Sequence, residues 1–220
     1  MAGFQTVSKL VSDIKSAVIR QFGDESSVQI TDADIYRWVN QGQLEICRRH
    51  RLLKAVVSTN VVAGQKDYTI PNDVLFVQQL LVNNQPVDYR SFEEASTYIL
   101  ENDPNSTATG QPDMWYEWAG TYTFWPTPDS TSAGTNNLKL YYIKAPTNVT
   151  ALTDALSIPD TYYTALLKYV MSQAHEMDED WTAAQVKSQQ YTEDLQQSGE
   201  DNDRINQGTY QRITVLPEDM

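Results

Sequence analysis

The spacing of apolar residues changes twice along this chain, and few folds accommodate both changes. Up to residue 53 apolar side chains recur at helical spacing. From Lys54 they sit in short alternating runs separated by turn residues, and after Pro159 helical spacing returns. A chain ordered helix, strand, helix is expected to build a helical part from its two ends and to carry a β part between them.

Within the first block, Val7, Leu10, Val11, Ile14 and Val18 fall on one helical face, and Gly23 supplies a stop. A second helix starts at Thr31, with Asp34 three positions on as a capping partner and Ile30 and Ile35 as a hydrophobic staple. Its apolar face is Ile35, Trp38, Val39, Gly42 and Ile46, and Arg48, Arg49, His50 and Arg51 end it where the helix dipole favours cations. In the β block, Asn83 and Asn84 suit a tight turn. Ser91 and Glu94 cap a short helix over residues 91–102. Aromatic strands flank Ala119 and Gly120, with Gly120 expected at a left-handed bulge position. The last block carries helical stripes through Tyr163, Leu167, Val170, Ala174 and Met177, then through Trp181, Ala184, Ser188, Tyr191 and Leu195. The acidic run Asp178, Glu179, Asp180 marks the break between two helices. The fold expected is α+β: a bundle of about four helices from residues 1–53 and 146–198, a small antiparallel β domain inserted at 54–145, and an extended C-terminal tail at 199–220.

Charge narrows the function. Residues 1–60 hold 8 Lys and Arg against 6 Asp and Glu, residues 61–150 hold 4 against 10, and residues 151–220 hold 4 against 13. A net charge of -13 repels nucleic acid over most of the surface, which argues against sequence-specific DNA binding. No apolar run reaches membrane-spanning length and the N-terminus lacks the apolar core of a secretion signal, so no membrane partner is expected. A single cysteine, Cys47, excludes an internal disulfide and fits a reducing compartment.

Searches for chemistry find no phosphate loop, nucleophile elbow or zinc-protease motif. His175 and Glu176 before Asp178, Glu179 and Asp180 read as a solvated helix junction rather than a metal site. Cys47 and His50 share a helix face without a third partner, and Glu93, Glu94 and Glu117 could be drafted as a hydrolase pair only with raised pKa values that nothing predicts. No catalytic residue, metal or cofactor is expected. The aromatic strands place Tyr116 and Trp118 on one face and Trp115 on the other, so the hairpin is expected to contribute to both a core and a subunit interface. A sugar-binding platform is the alternative. Arg48, Arg49 and Arg51 are expected either as solvated helix-end cations or as a subunit contact with the acidic C-terminal half of a neighbouring copy, a head-to-tail pairing that closes rings.

The order of these features, with Gly64, Tyr68 and Pro71, then Gly120 and Pro126, then Pro159 and Tyr162, resembles the head-to-tail adaptors of tailed bacteriophages, in particular tail tubular protein A-like connectors. The resemblance covers residues 31–197. It implies a structural virion protein at the neck, present in the host cytoplasm during assembly, that forms a dodecameric ring under the portal protein. Such a ring extends the channel for double-stranded DNA without binding it specifically, and offers a platform to a tail or nozzle ring protein. Another neck or tail-completion ring is the nearest alternative. Within that picture, Trp115, Trp118 and Trp125 join the arginines as candidate subunit contacts. Ile205, Tyr210, Ile213, Val215 and Leu216, apolar points in a polar tail, become candidate portal contacts.

Overall fold

The computed structural model describes residues 9–23 and 29–206, with side chains through residue 202. In chain order the elements begin with α1 (Val11–Phe22), α2 (Asp32–His50), β1 (Lys54–Val61), β2 (Asp67–Thr69), β3 (Val74–Val82), β4 (Gln85–Tyr89) and α3 (Phe92–Asn102). They continue with β5 (Thr109–Gly110), β6 (Met114–Trp118), β7 (Thr121–Trp125), β8 (Thr127–Pro128), β9 (Gly134–Lys144), a 3-10 turn (Asp160–Tyr162), α4 (Tyr163–Met177) and α5 (Trp181–Asn206). The chain divides into two compact units, one running to Leu52 and resuming at Pro146, the other spanning Leu53–Ala145.

Helices α1, α2, α4 and α5 build the first unit. Thr31 caps α2 as its sequence requires: the Asp34 N–H donates to Thr31 Oγ1 at 3.3 Å and the Thr31 N–H donates to Asp34 Oδ2 at 3.2 Å. Ile35, Trp38, Val39, Ile46 and Cys47 are buried along one face of α2, each large apolar side chain contributing about 1.5–3 kcal/mol. Gly42 lies on that face because nothing larger fits: a Cβ there would meet Leu166 Cδ1 at 2.5 Å and Tyr169 Cδ1 at 2.8 Å. Two polar side chains on α2 clip the segment that leads to α4. Asn40 donates to the Val149 carbonyl at 3.1 Å and accepts from its N–H at 2.7 Å, and Gln43 Oε1 accepts from the Ser157 N–H at 2.6 Å. The first turn of α1 is satisfied in the same economical way, by backbone carbonyls of Leu152 and Asp154 at 2.9 and 3.1 Å. Asp178 ends α4, Glu179 takes a positive φ of 58°, and Asp180 Oδ1 accepts from the Ala183 N–H at 3.1 Å, so the acidic run does break the helix.

The second unit holds a seven-stranded sheet in the order β1-β9-β3-β4-β6-β7-β2 and a two-stranded pair, β5 with β8. Its core is Val61, Tyr68, Leu80, Val82, Val87, Trp115, Tyr122, Phe124, Leu138, Leu140 and Tyr142. Asn83 and Asn84, at φ 53° and 62°, make the two-residue turn between β3 and β4. Ala119 and Gly120, at φ 50° and 75°, do the same between β6 and β7. Trp118 pairs directly with Thr121, so the turn is a tight two-residue one and not the bulge expected for Gly120.

Three expectations are corrected. The β part is neither small nor wholly antiparallel, because β4 pairs β6, and β5 pairs β8, in parallel. Helix α3 supplies the crossover that a parallel β4–β6 pair needs, and alternation in sequence carries no information about strand order. The α+β class holds, but the described residues carry five helices beside a large mixed sheet, not a four-helix bundle with a small insert; α3 lies in the sheet unit, as expected of the helix over residues 91–102. Finally, α5 does not stop at Ser198. It runs through Gly199 to Asn206, since Gly199 is buried against the His50 ring, where a Cβ would come within 2.5 Å of His50 Cε1. Packing overrides the helix-stop tendency of glycine. Among the described residues no helix is long and apolar enough to cross a membrane.

Candidate functional site

Because α2 is capped cleanly at both ends, it holds two unlike surfaces of the helical unit apart by its length, about 28 Å for 19 residues. At its C-terminal end Arg51 takes the left-handed cap position, its N–H bonding the Cys47 carbonyl at 2.9 Å. Arg48 and Arg49 are exposed, and the Arg49 guanidinium is held by Glu45 at 2.9 Å. Burial, with Glu45 nearby, pushes the Tyr191 hydroxyl well above the usual tyrosine range, so Arg49 and Glu45 belong to the contact between α2 and α5. Extension of α5 through Gly199 also brings Glu200 and Asp201 to this end. Of these arginines, Arg49 stands beside a carboxylate of its own chain, Glu45.

At the other end of α2 lies the α4–α5 junction. Gln29 Nε2 donates to Asp178, and the Phe22 and His175 rings meet at 4.5 Å. Glu176, Met177, Asp178, Glu179, Asp180 and Trp181 are all exposed, Trp181 at 67%. A large aromatic ring in water, ringed by carboxylates, is the composition of an interface anchor. The sequence reading placed Trp181 on the buried stripe. Ala184, Tyr191 and Leu195 do form that stripe, but Trp181 sits one turn earlier, at the very start of α5, where it turns out to solvent.

The three tryptophans of the hairpin separate into different roles. Trp115 is 4% exposed, in the sheet core, with the Tyr89 ring at 4.8 Å. Trp125 is half-buried between the edge of Tyr98 and Asp103, whose Oδ2 accepts from its indole N–H at 3.4 Å. Trp118 is 60% exposed with Phe92 stacked on it at 4.4 Å, which leaves it as the member of the three with surface to offer. Beside Trp115 the sheet opens into a cleft of about 400 Å³ lined by Ile70, Val74, Phe76, Val77, Tyr89, Trp115 and Glu117. Tyr89 is 61% exposed at its mouth, and no sequence signal marks it, since strand alternation does not reveal where two strands part.

The residues considered for chemistry are scattered. Cys47 is fully buried, and burial pushes its thiol up to about 11, so it is a protonated core residue. His50 packs against Gly199 and Tyr162. Glu94 caps α3, and its bonds to the N–H and hydroxyl of Ser91 hold its carboxyl below the usual range. Among the described residues no group of three or more His, Cys, Asp or Glu is arranged to hold a metal ion. Of the tail residues, Ile205 falls in the last turn of α5, and Tyr210, Ile213, Val215 and Leu216 lie outside the described residues.

What the geometry offers is a set of surfaces rather than a pocket of reactive groups: an acidic aromatic junction, a mixed-charge helix end, an exposed Trp118–Phe92 pair and a cleft of mixed polarity beside β3. Comparison with known proteins agrees with that character. No curated protein matches the chain. The SU10 adaptor protein family model matches it over residues 9–214, from the start of α1 into the segment beyond α5. The chain belongs to the SU10 adaptor protein family and is a phage adaptor-type structural protein.

Proposed function

We propose that this virion protein is the head-to-tail adaptor: copies form a ring beneath the portal, the ring prolongs the DNA channel, and its lower face receives the next ring of the tail. The observation that carries this reading is the family match along almost the whole chain, taken with two unlike helix-end surfaces held about 28 Å apart by α2. Unlike surfaces on one subunit favour heterologous contacts, and heterologous contacts close into rings when the rotation allows. The excess of acidic residues suits a lumen through which a polyanion must slide without adhering. Arg48, Arg49, Arg51 and Trp118 are the proposed lateral contacts that remain exposed, with Trp181 added from the structure. A sugar-binding reading of the hairpin is less well supported, because Trp115 is in the core and Trp125 half-buried, which leaves Trp118 as the exposed indole of the three.

Removing the gene from the phage genome tests the proposal. An adaptor is required after packaging, so the expected product is heads that contain portal but carry no tail and lose their DNA. Tailed, DNA-filled particles that merely fail to bind or enter the host would overturn the proposal and place the protein further down the tail.

A further inference from the structure

We infer that the outer edge of β1 pairs antiparallel with β1 of a second copy, and that this contact closes the free chain into a two-fold dimer. The inference goes beyond the ring reading, because it uses the edge of the sheet and none of the proposed lateral contacts.

β1 stands first in the sheet order, so β9 lies on one side of it and, among the described residues, no strand lies on the other. The ladder decides which backbone groups stay open. The Lys144 N–H donates to the Leu53 carbonyl at 2.6 Å, and the Val61 N–H donates to Asn137 Oδ1 at 3.0 Å, so the odd-numbered residues turn their backbone groups toward β9. Those of Lys54, Val56 and Ser58 point outward, and among the described residues no protein group bonds them. Sheet edges are commonly blunted by brevity, charge, proline or a bulge. β1 runs for eight residues without proline, is charged at its first residue alone, and has its bulge at the far end, between Thr59 and Val61. Its middle, residues 55–58, carries none of these devices. Val56 there is 54% exposed, beside the exposed Tyr141 of β9. Val57 is exposed as well, although its neighbour on β9, Leu140, belongs to the sheet core, so the core layer ends on an uncovered valine.

A second β1 fits this edge in three respects. An antiparallel pair centred on Val57 sets Val56 against Ser58 of the other copy and Ser58 against its Val56, which satisfies the open groups of both chains at once. It also brings the two Val57 side chains together at a non-hydrogen-bonded position, where cross-strand side chains lie closest, and continues the core layer that each copy leaves unfinished. Charge selects the direction. Two copies of a chain carrying -13 repel over most of their surface, but residues 53–65 hold a single charge, Lys54. Antiparallel pairing places the two Lys54 side chains at opposite ends of the seam, about 20 Å apart, whereas in-register parallel pairing sets them side by side. The contact is isologous, so it uses up the β1 edge of both copies and stops at two.

Sedimentation of the free full-length chain over a range of concentrations tests the inference, and is expected to show a monomer–dimer equilibrium. Val56→Pro removes an outward N–H and no β1–β9 bond, so it should weaken the dimer about tenfold or more while the circular dichroism spectrum stays native. Register is read by disulfide formation in a Cys47→Ala background. Paired Val57 positions stand about 4.5 Å apart between Cα atoms, within disulfide reach, so Val57→Cys should link to itself. Ala55→Cys and Thr59→Cys should each link poorly alone and readily when the two chains are mixed. A natively folded chain that stays monomeric at every concentration overturns the inference, as does a dimer indifferent to Val56→Pro. Equal self-linking at all three positions also overturns it, in favour of parallel pairing. The adaptor reading is scored separately, by the gene deletion: tail-less heads with a monomeric free chain would sink the β1 pair alone.

Discussion

Adding a single methyl group at Gly42 probes the packing of α2 on α4. In an open helix interior, Gly→Ala stabilises by about 1 kcal/mol through backbone entropy. Here the new Cβ would lie 2.5 Å from Leu166 Cδ1 and 2.8 Å from Tyr169 Cδ1, well inside ordinary contact at about 3.5–4.0 Å. Leu166 is fully buried, so overpacking is expected to cost about 1–3 kcal/mol. The net effect of Gly42→Ala is then a loss of up to about 2 kcal/mol, against the gain expected of an open site. A double-mutant cycle removes the ambiguity. Leu166→Ala alone should cost about 2–5 kcal/mol, but in the double variant the new methyl occupies space that Leu166 vacated, and the two changes should couple favourably by about 0.5–3 kcal/mol. Urea unfolding followed by the helical circular dichroism signal measures all four corners. Gly42→Ala stabilising by the full propensity gain, or a cycle additive within about 0.5 kcal/mol, would refute the α2–α4 contact.

Other expectations follow from single interactions. Thr31→Ala should lower stability by about 1 kcal/mol by removing the α2 cap, in the same unfolding assay, and Thr31→Ser should recover most of it. The hydroxyls and N–H groups of Thr131 and Ser132 hold the Asp129 carboxyl at about 2, below its unfolded value of about 3.9. Its contribution is therefore complete above pH 4 and lost as pH falls toward 2, and Asp129→Asn should flatten that limb of the stability profile without changing its shape near neutrality. Cys47, buried and protonated, should resist a thiol reagent at pH 8 until urea unfolds the helical unit, and rapid labelling of native protein would contradict the packing. Because Arg49 bonds Glu45, Arg49→Glu should destabilise the free subunit. Arg48→Glu should leave it folded and act, if at all, on assembly, with the largest effect at low salt.

The parts of this fold that follow local rules were legible in the sequence. The Thr31–Asp34 and Ser91–Glu94 caps, the Gly23 stop, the Asn83–Asn84 turn and the acidic break before α5 each depend on a few neighbouring residues, and each stands in the structure. What was not legible depends on partners distant in sequence. The parallel β4–β6 pair, the division of β4 between β3 and β6, and the continuation of α5 through Gly199 are decided by α3, by the sheet and by His50. The same division holds for the surfaces. Arg48, Arg49 and Arg51 could be found as a helix-end cluster, but not that Arg49 is engaged by Glu45. Trp115, Trp118 and Trp125 could be found as aromatic, but their separation into core, surface and half-buried positions needed the neighbouring Tyr89, Phe92 and Tyr98. Trp181 was assigned to the wrong side because periodicity defines the face of a helix, not how far the neighbouring helix extends to cover it.

The mass of the assembly formed with portal tests the central claim most directly. Purified chain, mixed with the portal protein of the same virion and measured by native mass spectrometry or sedimentation, should give a complex holding one adaptor copy for each portal subunit. A chain that stays apart from portal at every ratio and ionic strength, while keeping its native helical signal, would contradict the account.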